Sequence, residues 1–185
     1  MTENQPFNPI SPYGISKAAA EYACLGYARR FELPVVIGRS FNHSGPRQSQ
    51  DFVIPSFARQ IATIEKGLAE PVMKVGDLSV KRDLSDVRDI VRGYRLLAEK
   101  GKLTRAYHLC SGRAVAIEFV LNQMLKIASK KIVVKSDRTR FRPNDIPVLR
   151  GDNSLARKEL GYEVRYSLRQ TINDTVDYWR RNIRS

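Results

Sequence analysis

The stretch Asn8–Glu21, NPISPYGISKAAAE, decides how this chain is read. Ser11-Pro12 has the form of a helix start: a serine oxygen can accept free backbone N–H groups, and proline at the first helical position has no N–H to lose. The alanine-rich segment from Tyr13 to about Phe31 then reads as one helix, stopped by Pro34. On such a helix Tyr13 and Lys17 are four residues apart and share a face. A lysine ammonium beside a phenol favours the phenolate, which turns a weak proton donor into a usable acid–base group near neutrality. Tyr and Lys also occur at this spacing by chance on many helices, so the pair alone does not establish catalysis.

Outward from that helix the chain alternates short apolar runs with amphipathic segments. Val35-Val36-Ile37-Gly38 reads as a buried strand, followed by a turn-rich loop from Asn42 to Asp51 that carries Gly45 and Pro46. Residues 53–66 have helical spacing, Val72–Val75 a strand pattern, and Asp86 to about Glu99 a helix with acidic residues at its start. Ala106–Leu109 is a further strand. Residues 116–128 form an amphipathic helix with Phe119, Val120, Met124 and Ile127 on its apolar side. Ile132-Val133-Val134 is one more strand, and helices are expected near 153–160 and 167–182, the first capped by Asp152 and Asn153. This alternation implies an α/β protein with some parallel sheet.

Composition narrows the class further. The 185 residues are 42% hydrophobic, ordinary for a packed domain, and carry a formal net charge of +13. No apolar run approaches a membrane span, and the polar opening MTENQPFNP is no signal peptide, so a cytoplasmic protein without a membrane partner is expected. The positive charge favours anionic partners. It is scattered, with short clusters at Lys130–Arg142 and Arg180–Arg184, and no nucleic-acid motif accompanies it, so nucleic acid is not expected as a partner. Cys24 and Cys110 lie far apart, neither in a CxxC pair, and each is expected as a buried free thiol. No metal site is expected.

NPISPYGISKAAAE resembles the YxxxK segment of the extended short-chain dehydrogenase/reductase family, also called NAD-dependent epimerase/dehydratases. Three further stretches match in the right order: GRSFNHSGPRQ (Gly38–Gln48), VGDLSVKRDLSDVRDIV (Val75–Val91) and RFRPNDIPVLRGDNSLARKELGY (Arg140–Tyr162). The resemblance implies that Tyr13 is the acid–base catalyst and that Lys17 binds the nicotinamide ribose and tunes the tyrosine. His43 and Arg47 would sit near an NAD or NADP cofactor, and Asn42 and Val53 would meet the substrate. Arg82 and Arg142 would take its diphosphate, and Asp145 a ribose hydroxyl. Asp83 and Asp86 are instead expected to hold a turn and cap the next helix.

PSFARQIATIEKG (Pro55–Gly67), CSGRAVAI (Cys110–Ile117) and RPNDIPVLRGD (Arg142–Asp152) are most similar to GDP-6-deoxy-D-mannose reductases, which reduce a GDP-4-keto-6-deoxyhexose to GDP-D-rhamnose. GDP-mannose 4,6-dehydratases are next, with sugar-nucleotide epimerases as relatives. The implied fold is the C-terminal part of a Rossmann-like enzyme with its small substrate-binding domain, the N-terminal dinucleotide-binding strands missing. Residues 1–50 would be the remnant of the Rossmann-like domain, and 51–185 mostly the substrate-binding region, with about 84–110 returning to the first.

No glycine-rich phosphate turn of the family precedes Tyr13. The chain is therefore expected to be a truncated oxidoreductase that binds NAD(P) weakly and is inactive alone, working with a missing N-terminal half or as a homo-oligomer. The alternatives are a GDP-mannose 4,6-dehydratase or related sugar-nucleotide epimerase, and a non-catalytic nucleotide-sugar-binding fragment.

Overall fold

A computed structural model describes residues 1–141 and 145–183. The first helix, α1 (Pro12–Phe31), begins as the sequence requires: the Ser11 hydroxyl accepts the Gly14 N–H at 3.1 Å, with Pro12 at the first helical position. It ends before Pro34, at Glu32, which adopts a left-handed conformation. Ala28 is its only buried residue, so α1 lies almost wholly on the surface.

The next elements are β1 (Ile37–Ser40), β2 (His43–Ser44), α2 (Val53–Glu65), β3 (Val72–Val75), β4 (Lys81–Asp83), β5 (Ser85–Asp86) and α3 (Val87–Lys100). They are followed by β6 (Ala106–Leu109), β7 (Ala114–Ala116), α4 (Ile117–Lys126), β8 (Val133–Ser136), β9 (Val148–Leu149), α5 (Ser154–Leu160) and α6 (Leu168–Asn182). Three parallel pairs form, β1 with β6, β2 with β5 and β3 with β8. A three-stranded sheet has β4 in the centre, antiparallel to β7 and parallel to β9. The α/β class with parallel pairing stands.

Two apolar cores hold these pieces. One packs α2, β3, α4 and α6 through Phe57, Ile61, Met73, Val120, Met124 and Val176. The other joins α3, β6 and α5 through Ile90, Leu97, Tyr107, Leu109, Leu160 and Tyr162. On α2 the buried positions 54, 57, 58 and 61 follow the helical repeat, so one face enters the first core.

Three expectations fail locally. The strand expected at 35–38 runs instead from Ile37 to Ser40. Apolarity marks a buried segment, but the strand's limits are fixed by where the β6 backbone offers partners, from Ile37 opposite Ala106 to Ser40 opposite Leu109. Phe119 is 50% exposed although it belongs to the amphipathic pattern, because the core takes Ile117, Val120, Leu121 and Met124. Asn153 does not cap α5: its side-chain amide donates to the Cys110 carbonyl, and the Asp152 carboxylate takes the Ser154 N–H.

The cores are joined by three fully buried aspartates at three-residue spacing. Asp83 accepts the backbone N–H groups of Ser111, Gly112 and Gly151 and the Ser111 hydroxyl. Asp86 caps α3 at Arg88 N and receives the Arg88 guanidinium and the Thr171 hydroxyl. Asp89 receives Arg92 and the N–H groups of Arg165 and Tyr166. Burial alone would raise the Asp86 carboxyl, but its hydrogen bonds outweigh that and hold it below the usual carboxylate range.

Asp83→Ala should cost about 2–4 kcal/mol, because it strands several buried donors. A shift of the urea midpoint under 0.5 M would contradict this. Asp86 has a folded-state pKa below its ordinary value of 3.8. Its contribution is therefore complete above the ordinary value and fades as pH falls through the folded one. Asp86→Asn should flatten the acid side of the stability–pH curve, read by thermal melts between pH 2 and 7.

Candidate functional site

Lys17 Nζ lies 5.6 Å from the centroid of the Tyr13 ring, so α1 does place the two side chains on one face. Both are exposed, Tyr13 by 71%. The ammonium thus stands beside the phenol with no carboxylate within ion-pair distance of it among the described residues.

The turn after β1 carries the next group. The Asn42 carbonyl accepts the Ser85 N–H, which ties this turn to β5, while the Asn42 side chain is exposed. His43 is half-buried in β2, its Nδ1 2.9 Å from the Phe41 carbonyl oxygen. Arg47 has a φ of 73°, a left-handed conformation that few residues with a side chain adopt. Local strain of this kind is concentrated at binding sites and turns.

Val53 is the first residue of α2, and the N–H groups of Val53 and Ile54 have no acceptor among the described residues. Beside this helix start lies a cavity of about 410 Å³ lined by Gln50, Asp51, Ser56, Arg59, Gln60 and Arg140. Its two guanidinium groups suit an anion such as a phosphate, although the Asp51 carboxylate shares the lining and Arg140 is also paired with Asp137 at 3.4 Å. The sequence reading missed Arg59, Gln60 and Arg140. Arg59 is on the exposed side of an amphipathic helix, which looks like any solvated surface until Arg140 is brought to it from a distant segment.

Arg82 and Asp145, both expected at the substrate, are paired with each other at 2.7 Å. Arg82 also donates to the carbonyls of Lys81 and Ile146. Arg142 lies outside the described residues. Among the described residues no hydrogen bond or ion pair links Tyr13 or Lys17 to Asn42, His43, Arg47, Arg82 or Asp145. A second cavity, of about 430 Å³, lies between the N-terminal arm and α5. It mixes Glu3 and Asp152 with Arg105 and Lys158, a rim of both signs.

The cysteines differ from expectation. Cys110 is buried, and burial pushes its thiol up to about 12. Cys24 is exposed instead, because α1 buries only Ala28. With a thiol-selective disulfide reagent the native chain should therefore give one fast equivalent, lost in Cys24→Ser, and a second only on unfolding. Two equally fast thiols would contradict the buried site of Cys110.

The chain is similar to known proteins over nearly all its length. It is 32% identical to the GDP-6-deoxy-D-mannose reductase of Pseudomonas aeruginosa, covering 96% of this chain and 58% of that protein. It is 29% identical to the GDP-mannose 4,6-dehydratase of Vibrio cholerae, covering 94% and 54%. Among solved structures, RMD from Pseudomonas aeruginosa complexed with NADPH superposes with a TM-score of 0.92 at 31% identity, over 98% of this chain and 60% of that one. The UDP-glucuronic acid 4-epimerase from Bacillus cereus in complex with NAD has a TM-score of 0.80 at 25% identity, over 98% and 56%. The chain thus spans a little over half the length of these relatives. A family model described as GDP-mannose 4,6 dehydratase matches residues 1–175, and the chain belongs to that family.

Proposed function

We propose that these residues form the proton-transfer and substrate-binding part of a GDP-sugar oxidoreductase, which in complete form reduces GDP-4-keto-6-deoxy-D-mannose to GDP-D-rhamnose with NAD(P)H. The observation that carries this reading is the Tyr13–Lys17 pair on a capped, exposed helix face, with a lysine charge 5.6 Å from the phenol ring centroid and no competing carboxylate among the described residues. Tyr13 gives its proton to the C4 carbonyl oxygen as negative charge develops there. Lys17 supports the phenolate left behind. A nicotinamide cofactor, when bound, would supply the hydride.

Asn42 and Val53 take the sugar nucleotide, and Arg82 and Asp145 take its diphosphate and ribose once their mutual ion pair opens. Arg142 belongs to the same group by its place in the motif. Arg59 and Arg140 add two guanidinium groups to the cavity beside α2. On the cofactor side, Tyr13, Lys17, His43 and Arg47 suit the nicotinamide end. The glycine turn that would cradle the cofactor's diphosphate is not in these 185 residues, so tight NAD(P) binding needs that part supplied, on the same polypeptide or another. In this reading α1 and the core of α3, β6 and α5 belong to the Rossmann-like domain. The core of α2, β3, α4 and α6 belongs to the substrate-binding region. In this reading the protein works in the cytoplasm.

A 4,6-dehydratase is the second reading, favoured by the likeness to the Vibrio cholerae enzyme. Calorimetric titration with GDP, GDP-mannose and NADPH separately tests the proposal. The GDP compounds should bind, NADPH weakly at most, and Arg59→Ala should lower GDP affinity by roughly tenfold. Absence of GDP binding sinks it, as does RNA binding of steep salt dependence in its place.

A further inference from the structure

Lys17 stands between two possible partners on α1. Tyr13 is one turn towards the N-terminus, and Glu21 is one turn towards the C-terminus at the i, i+4 spacing at which Lys and Glu pair readily. The Glu21 carboxylate, however, is turned to the sheet. Its two oxygens accept Arg39 Nε at 3.0 Å and Nη2 at 2.7 Å, a two-pronged pair whose side chains are only 22% and 10% exposed. Such a fork fixes a carboxylate in direction as well as in charge.

Arg39 is itself held in place. Its Nη1 donates to the Glu3 carbonyl at 2.9 Å, and its guanidinium lies 4.6 Å from the centroid of the Phe7 ring. Phe7 in turn meets Tyr22 of α1 edge-on at 5.4 Å. Among the described residues, the fork to Glu21 is the one hydrogen-bonded side-chain tie between α1 and the rest of the fold.

We propose that Arg39 is a positioning residue that takes Glu21 out of reach of Lys17, so that the lysine's charge stays directed at Tyr13. This rests on the reading of Tyr13 and Lys17 as the proton-transfer pair. Without Arg39, Glu21 swings onto the helix surface and draws the ammonium one turn away from the phenol. A flexible four-carbon stem lets lysine make that choice at little cost.

The test follows the pH at which Tyr13 ionises in the full chain, by NMR of ring-labelled tyrosines with Tyr13→Phe assigning the signal. Arg39→Gln should move that titration to higher pH. Arg39→Gln with Glu21→Gln should bring it back, because the competing carboxylate is gone while the anchoring fork is still broken. Circular dichroism checks that both variants keep α1. No movement in Arg39→Gln overturns the proposal. Movement that persists in the double variant also overturns it, since a loosened helix would not recover. Lys17→Met gives the separate check. If Tyr13 titrates unchanged without Lys17, the pair itself is misread and the positioning role falls with it.

Discussion

The fold depends on three carboxylates that never see water. Asp83, Asp86 and Asp89 follow one another within a single short strand–helix segment, yet each reaches a different distant part of the chain. Asp83 collects the loops after β6 and β9, Asp86 the start of α6 and Asp89 the turn that precedes α6. A buried charge is costly unless it is fully hydrogen-bonded, so each aspartate forces its partners into place. The two apolar cores could each tolerate some sliding, because burial is not directional. Directional bonds to three buried acceptors fix how the cores meet.

A second constraint operates at the far pole, where α2, α4 and α6 end near one another. Helix C-termini present unsatisfied carbonyls and partial negative charge. Lys66 donates to Ile183, Lys130 to Ile64 and Arg180 to Ile127, so three cations close three helix ends. Glu65 completes this arrangement by accepting Arg180 through both carboxylate oxygens, and that pairing holds its carboxyl below the usual range. Part of the large positive charge of the chain is therefore spent on helix ends rather than on any external anion.

The site is distributed according to the same logic. α1 is well capped but sparsely packed, so the position of Tyr13 and Lys17 relative to the sheet falls to Arg39 and Glu21. The residues proposed to meet substrate stand at strand ends and at the start of α2. Their charges come from segments far apart in sequence. Arg82 and Asp145, both proposed to meet the ligand, neutralise one another in this structure.

Much was legible from the residues in order. Ser11-Pro12 marked α1, the repeat of apolar positions marked α2, and the spacing of Tyr13 and Lys17 put them on one face, because capping and helical periodicity act within a few residues. The motifs identified the family on the same local basis. What the order of residues did not contain was which partners meet. It gave no sign that α1 would bury only Ala28 and leave Cys24 in solvent, or that Phe119 would be left outside its core. Nor did it show that Asn153 would reach Cys110 instead of capping its own helix, or that Arg140 would join Arg59. Local structure follows from short-range sterics and hydrogen bonds, which sequence encodes directly. Exposure, ion pairing and the closing of a pocket depend on contacts between distant segments, and only the packed tertiary structure decides those.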